Sequence, residues 1–257
     1  MLDVYYDMAR FYDAENQDLT EDLALYSALL AETGGPVLDV GCGTGRVALH
    51  LAAEQAQVEG LDISGAMLER AKRRLAGRFD LTGRVTFHET SVTEFESKPR
   101  FGLALIAYNG FMHLRWQSEQ LAALRHIAAA LREDGLLVID LPNPAEAYAA
   151  QDQPGLVLER TFTDPDTGGT VMQQSITQLD RTAQLLSITW VYDLIAPDGT
   201  VKRSIAPVQL RYIFPAEMDL LLGQAKLQRL QFYGDYDRAP FVDGCPRMIV
   251  LAGKQKD

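Results

Sequence analysis

Three glycines stand within five positions in the stretch VLDVGCGTGR, residues 37–46, as Gly41-x-Gly43-x-Gly45 straight after an apolar run. Glycine costs conformational entropy, so three this close imply that something must lie against the main chain itself. A turn there, between a strand and a helix, presents backbone N–H groups beside the positive end of the helix dipole. An acid, Asp39, precedes the first glycine. Its charge discourages a pyrophosphate and suits a cation. His113 and Asn109 follow the apolar run FGLALIAYN. Imidazole titrates near ~6.5, so His113 is the candidate general base. Asn109 is placed to orient a nucleophile. Tyr12 lies among Tyr5, Tyr6 and Phe11, rings that exclude water and attract cations to their faces. Arg211 suits an anionic group, with Tyr212 beside it as a second substrate contact. Cys42 reads as a small packing residue, because its neighbours supply no base. His50 and His126 fall within helices and His88 at a strand end, where structural roles suffice.

These residues do chemistry only if the chain positions them. A helix is expected over residues 19–31, capped by Thr20 with Glu21 and Asp22 at its positive end. Then PVLDVG, AQVEGLDI, RVTFHE, FGLALIAYN and GLLVIDL read as strands, separated by helices at TGRVALHLAAE, SGAMLERAKRRL and, capped by Ser118, SEQLAALRHIAAALRE. Strands alternating with helices imply a parallel sheet covered on both faces. From about 156 to 214 the helical period vanishes, and DPDTGG, LDRTAQ and APDGT read as turns. Leu186, Ile188, Trp190, Tyr192 and Leu194 alternate with more polar neighbours, as a half-buried strand does. Four such strands form an inserted antiparallel sheet, which covers the substrate side of the cleft or pairs two subunits. Helix returns at PAEMDLLLGQA behind Pro215, and LQRLQFYG and RMIVLAG close the sheet. The fold class is therefore α/β: a doubly wound, seven-stranded, mostly parallel sheet over residues 1–155 and 215–257, with an N-terminal lid at 1–17 and an insertion at 156–214.

Composition narrows the partners. The 257 residues are 47 % hydrophobic and 23 % charged, with a formal net charge of −11. So acidic a surface repels phosphate backbones, which disfavours nucleic acid. No membrane span or signal peptide is expected, so the cytoplasm is the natural compartment. Two cysteines define neither a disulfide framework nor a metal site.

Two ligand classes use a glycine turn of this kind, dinucleotides and S-adenosylmethionine. The dinucleotide pattern is G-x-G-x-x-G; the spacing here differs. With Asp39 it resembles the first motif of class I S-adenosylmethionine-dependent methyltransferases, acid-x-Gly-x-Gly-x-Gly. LDIS ends the second strand with Asp62, about twenty residues on, where a ribose-binding acid belongs. The resemblance implies S-adenosyl-L-methionine as cofactor and S-adenosyl-L-homocysteine as product. It assigns the cofactor to Tyr12, Asp39, Gly41, Cys42, Gly43, Gly45, Asp62, Ile63, Met67, Ser91 and Val92. Met67 would lie near the adenine. Ser91 stands where the family often has an acid for the adenine amino group, and Val92 offers its N–H to a ring nitrogen. Phe101-Gly102 replaces the family's aromatic-Asp pair. YYDMARFYD, YNGFMHL, RYIFPAEM and the C-terminal FYGDYDRAPF resemble a bacterial small-molecule branch that includes N-methyltransferases of nucleotide-linked amino sugars. The implied catalytic residues are His113, Asn109 and Tyr12, and a polar or His residue is usual at 113. Asn109 serves there either the nucleophile or the methionine moiety. The expected acceptor is a small-molecule amine, with a small carboxylate or phenol as alternative. Also open are a non-catalytic S-adenosylmethionine-binding module, an NAD-dependent oxidoreductase and a nucleic-acid methyltransferase. A homodimer is compatible with the inserted sheet.

Overall fold

The computed structural model describes residues 8–16, 18–164 and 166–255. Tyr5 and Tyr6 lie outside them, as do the other residues of 1–7 and residue 17 of the expected lid segment. Helices α1 (Ala9–Glu15) and α2 (Leu23–Thr33) come first. The chain then alternates through β1 (Val37–Val40), α3 (Arg46–Ala53), β2 (Val58–Asp62), α4 (Gly65–Ala76), β3 (Val85–Glu89), β4 (Phe101–Ile106), α5 (Gln117–Ala130) and β5 (Leu131–Pro142). A short α6 (Pro144–Ala149) leads into β6 (Gln153–Thr163), β7 (Thr170–Asp180), β8 (Leu185–Ile195) and β9 (Val201–Arg211). Helix α7 (Pro215–Gln224), β10 (Leu227–Tyr233) and β11 (Arg247–Lys254) follow.

The large sheet has seven strands in the order β10-β11-β5-β4-β1-β2-β3. Strands β1 to β5 pair in parallel, and only β11 and β10 run against them. Every residue of β1 and β4 is buried, because helices cover both faces. One core lies between the sheet and α5 with α7, the other between the sheet and α2 with α3. The direction of strand succession reverses between β1 and β4, and ligands of open α/β sheets bind at the carboxyl ends beside such a switch point.

Strands β6-β7-β8-β9 form a separate antiparallel sheet. Its turns fall at 164–169, 181–184 and 196–200, as the turn-forming residues require. Trp190, Tyr192 and Leu194 of β8 join Phe162, Val171, Ala206 and Val208 in one apolar cluster closed by Met8 and Phe11. The alternation in β8 thus marks the face that receives α1. At its centre, however, Val191, Tyr192 and Asp193 are all buried, so both faces are covered there.

Three element ends differ from expectation. Helix α2 begins at Leu23, and neither Thr20 nor Asp22 caps it with a side chain. Asp22 is fully buried and held bidentately by Arg46 at 2.7 and 2.6 Å, an ion pair that outweighs a cap. Helix α5 is entered from Trp116, whose N–H donates to Glu119 at 3.2 Å, so Ser118 lies inside the helix. The same helix ends at Ala130, where the chain passes directly into β5 with a shifted register between Phe101 and Leu103.

Candidate active site

The glycine loop joins β1 to α3, and all three glycines have left-handed φ: +71° at Gly41, +54° at Gly43 and +78° at Gly45. That conformation alone demands glycine. Among the described residues, a Cβ added at Gly41 or Gly43 would meet no atom within 4 Å, so the main chain there is open to a ligand. At Gly45 it would meet the Phe87 ring at 3.0 Å and Ala71 at 3.3 Å, so this glycine lets α3 sit close to the sheet. Cys42 is buried, and its Sγ lies 2.8 Å from where a Gly60 side chain would begin. Burial also pushes its thiol well above the usual range, which leaves a packing role and no thiolate.

Asp62 ends β2 beside this loop. Its Oδ2 accepts the Gly43 N–H at 2.8 Å and its Oδ1 the Ser64 N–H at 2.9 Å. A carboxylate accepts several hydrogen bonds on its two oxygens, the chemistry that binding ribose hydroxyls calls for. Ile63 is 59 % exposed, an apolar surface next to that acid. Met67 is buried in the first turn of α4, its N–H held by Ser64 Oγ at 3.2 Å. Ser91 and Val92 follow β3. The Ser91 hydroxyl is engaged with Thr93 at 2.7 Å and Val92 is buried.

Asp39 sits beneath the loop, fully buried, where the backbone of Ala48 bonds to it. Its Oδ2 has no hydrogen-bond partner among the described residues. Desolvation, reinforced by Asp62 and opposed by Arg46, raises its pKa to about 7. An unpartnered buried carboxyl oxygen under an open stretch of glycine main chain fits a positively charged ligand.

At the end of β4, Tyr108 and Asn109 take positive φ in succession, +39° and +68°. Such a pair is strained in residues other than glycine. The turn Gly110–His113 follows. His113 is reached by solvent yet lies deep among protein atoms, as on a cleft wall. Desolvation lowers its pKa to about 4. At neutral pH it is an uncharged imidazole and a weaker base than an ordinary histidine. The other histidines are occupied elsewhere: His50 with Ser27 at 2.8 Å, His126 with the Phe95 carbonyl at 2.8 Å and His88 beside Glu59 at 3.4 Å.

Helix α1 closes this end of the sheet. Tyr12 is electrostatically coupled to Arg46, Tyr108 and Asp62, and burial raises its phenol far above the usual range. On one side Asp13 accepts from Thr44 at 2.6 Å and from Arg74 at 3.1 Å. On the other, Phe11 stacks on Tyr192 with centroids 5.1 Å apart, Arg10 meets Asp164 at 2.6 Å, and Glu15 accepts from Gln173 and Tyr192.

Arg211 is not left to meet an anion. Its guanidinium lies 3.0 Å from Glu217 and also donates to Gln184 and the Ala183 carbonyl, which neutralises it at the root of α7. Tyr212 is 1 % exposed and packs with Phe111 and Phe214. Strand β9 nevertheless packs against the turn that carries His113, so its end belongs to the same side of the cleft.

A further group escaped sequence reasoning. Asp140, buried in β5, accepts from Tyr26 at 3.1 Å, Tyr236 at 3.0 Å, the Tyr108 N–H at 3.2 Å and Arg247 at 2.9 and 2.6 Å. The available signal was a single acid in an otherwise apolar buried strand, LLVIDL, which cannot stay ionised without partners.

A family model described as a methyltransferase domain matches residues 37–135. A dTDP-3-amino-3,6-dideoxy-alpha-D-glucopyranose N,N-dimethyltransferase of Streptomyces fradiae is 29 % identical over 199 residues, covering 75 % of this chain and 72 % of its own. A cypemycin N-terminal methyltransferase from a Streptomyces species is 28 % identical, with 86 % and 84 % covered. The CcbJ methyltransferase of Streptomyces caelestis superposes with a TM-score of 0.79 over 95 % of this chain and 96 % of its own, at 24 % identity. Sheet, glycine loop and strand order define a Rossmann-like methyltransferase fold. The chain is an S-adenosylmethionine-dependent methyltransferase.

Proposed function

We propose that the protein methylates the nitrogen of a small-molecule amine. The cofactor supplies an electrophilic methyl group on a sulfonium centre. Gly41 and Gly43 give it bare main chain, Asp62 accepts its ribose hydroxyls, and Ile63, Met67 and Val92 form the apolar surroundings of its adenine. Ser91, tied to Thr93, shapes that end, and Asp39 balances positive charge from below the loop. Tyr12, carried by α1, covers the site and excludes water.

On the acceptor side, a neutral amine needs an acceptor for its N–H and no adjoining cation. His113 meets both needs, because its imidazole stays uncharged at neutral pH. A carboxylate acceptor would instead need a free positive charge. Arg46, Arg211 and Arg247 are each already paired with a carboxylate, Asp22, Glu217 and Asp140. That pairing is the observation that carries the reading. Both relatives described above are named as acting on nitrogen, which supports it. Holding amine and methyl in line contributes several kcal/mol, up to about 7–11 in the best cases. The end of β9, with Arg211 paired to Glu217 and Tyr212 buried, contributes shape to this side. The test is release of S-adenosylhomocysteine over a panel of amines, carboxylates and phenols, with the methylated atom identified by NMR. Turnover confined to carboxylates or phenols would overturn the amine assignment. Binding of NAD in place of S-adenosylmethionine would overturn the site.

The reading extends to setting. Residues 156–214 act as a substrate-side subdomain on a core made of 1–155 and 215–257. Among the described residues no helix is long and apolar enough to cross a membrane. A cytoplasmic enzyme acting on a diffusible substrate, and not on nucleic acid, fits the net charge of −11. Leu158 and Ile205, 53 % and 56 % exposed, give the inserted sheet an apolar surface suited to a homodimer. Sedimentation velocity decides that point.

A further inference from the structure

Two consecutive residues with positive φ need something to hold them, since that conformation is strained for residues other than glycine. At Tyr108–Asn109 the holding group comes from the last strand of the chain. Arg247 places Nε and Nη2 on Asp140 Oδ1 at 2.9 and 2.6 Å. The same Nη2 donates to Asn109 Oδ1 at 3.1 Å. Its guanidinium carbon lies 5.7 Å from the centroid of the Tyr108 ring and 5.6 Å from that of Tyr236. Asp140 completes the clasp from β5. Its Oδ2 accepts the Tyr108 N–H at 3.2 Å and its main-chain carbonyl the Asn109 N–H at 2.9 Å. The main-chain bonds set the path of the corner, and the arginine sets the side chain. With Oδ1 turned to the guanidinium of Arg247, the NH2 group of the Asn109 amide is turned away from it, and that group is a donor. A donor suits a carboxylate or hydroxyl and does not suit the N–H of a neutral amine.

We infer that Arg247 is a positioning residue for methyl transfer: clasped to Asp140, it fixes the Tyr108–Asn109 corner and turns the Asn109 amide so that its NH2 group serves the carboxylate of the methionine moiety. This choice between the two roles open to Asn109 rests on the cofactor reading above. A lysine at 247 would keep the charge and lose the planar fork that holds aspartate and asparagine together. Asn109 would then be free to flip, and the corner to relax.

The test is a cycle of Arg247→Lys, Asn109→Gly and the double variant. Glycine accepts the left-handed φ without strain, so Asn109→Gly removes the amide and leaves the corner. Calorimetry with S-adenosylmethionine is expected to show Arg247→Lys weakening binding about five-fold, and less than two-fold further when glycine already stands at 109. Amide exchange in the unliganded protein is expected to quicken about ten-fold at 109–114 in Arg247→Lys, with Leu103–Ile106 of β4 unchanged. Additive losses, wild-type binding in Arg247→Lys, or exchange that quickens equally along β4 would overturn the inference. If wild-type protein fails to bind S-adenosylmethionine, the cofactor reading and the amide's role fall together, whereas the exchange pattern still decides whether Arg247 holds the corner. If the methionine site holds but no amine is methylated, only the acceptor assignment fails.

Discussion

Along β1 and β4 every residue is buried, whereas along β6 all but one are exposed. The seven-stranded sheet has helices on both faces; the four-stranded sheet is attached through the seven residues of α1 and through β9, which meets the His113 turn and α7. The bonds that build each side of the cleft differ in the same way. On the cofactor side Gly43 meets Asp62 nineteen positions away. Around the methionine end and the acceptor Arg247 meets Asp140 across 107 positions, and Tyr192 meets Glu15 across 177. A nucleotide site can thus be made by one strand-turn-helix unit and its neighbour. The site that chooses an acceptor is assembled from the chain's extremities, where loops and insertions vary most freely.

The largest effect should come from cutting the link between the two sheets. Phe11 is 2 % exposed and stacks on Tyr192. Phe11→Ala removes a buried aromatic and should cost about 3–5 kcal/mol. The loss should be local: β7 and β8 amides exchange faster while β1 and β4 keep their protection. Equal loss in both sheets would show that α1 is no special link. Next in size is Asp62→Ala. Losing charge-assisted bonds to the cofactor should weaken S-adenosylmethionine binding by about 1.5–3 kcal/mol. An unchanged dissociation constant would take Asp62 out of the site.

The same contrast explains what could be read from residue order. Gly41, Gly43 and Gly45 announce themselves because their φ excludes other residues, and Asp39 and Asp62 stand at fixed offsets from them. The turns and alternation of β7 to β9 are equally local properties. Asp22 reads as an acid at the positive end of a helix because its proper partner, Arg46, is reached only through the fold. Arg211 reads as an anion site for the same reason, since Glu217 faces it only once β9 meets α7. Tyr236 lies between Asp235 and Asp237 in a segment that looks like a plain turn, yet its hydroxyl bonds to Asp140 at 3.0 Å. Side chains whose role depends on a partner met only in the fold, here 24, 6 and 96 positions away, carry no periodicity and no spacing to betray them.

A third test turns on Asp39, whose pKa is raised to about 7 by desolvation. The unliganded fold therefore favours its protonated form. That contribution to stability is complete below the ordinary value of 3.8 and is lost as pH rises through about 7. A bound cation favours the ionised form, so the sign reverses for binding: affinity rises with pH. Between pH 8 and pH 6 the dissociation constant of S-adenosylmethionine should increase about ten-fold. Asp39→Asn should flatten that dependence. An equally steep profile in the variant would assign the proton to another group and separate the acid under the loop from the charge of the ligand.

The smallest effect is expected at His113, and its size distinguishes two chemistries. Loss of a general base typically costs about a hundred- to ten-thousand-fold. An imidazole with a pKa near 4 is poorly matched to that task at neutral pH. As a hydrogen-bond acceptor for a neutral amine it contributes about 0.5–1.5 kcal/mol, or roughly three- to ten-fold in kcat. His113→Ala should therefore lower kcat by that modest factor, on whichever amine the wild type methylates, and leave cofactor affinity unchanged. The wild-type pH–rate profile should show no inflection near ~6.5, where an ordinary histidine titrates. A hundredfold loss together with such an inflection would make His113 the proton carrier and would mean that the turn opens to water during the reaction. The cofactor end would then be the rigid partner of the pair, and the acceptor end the one that moves.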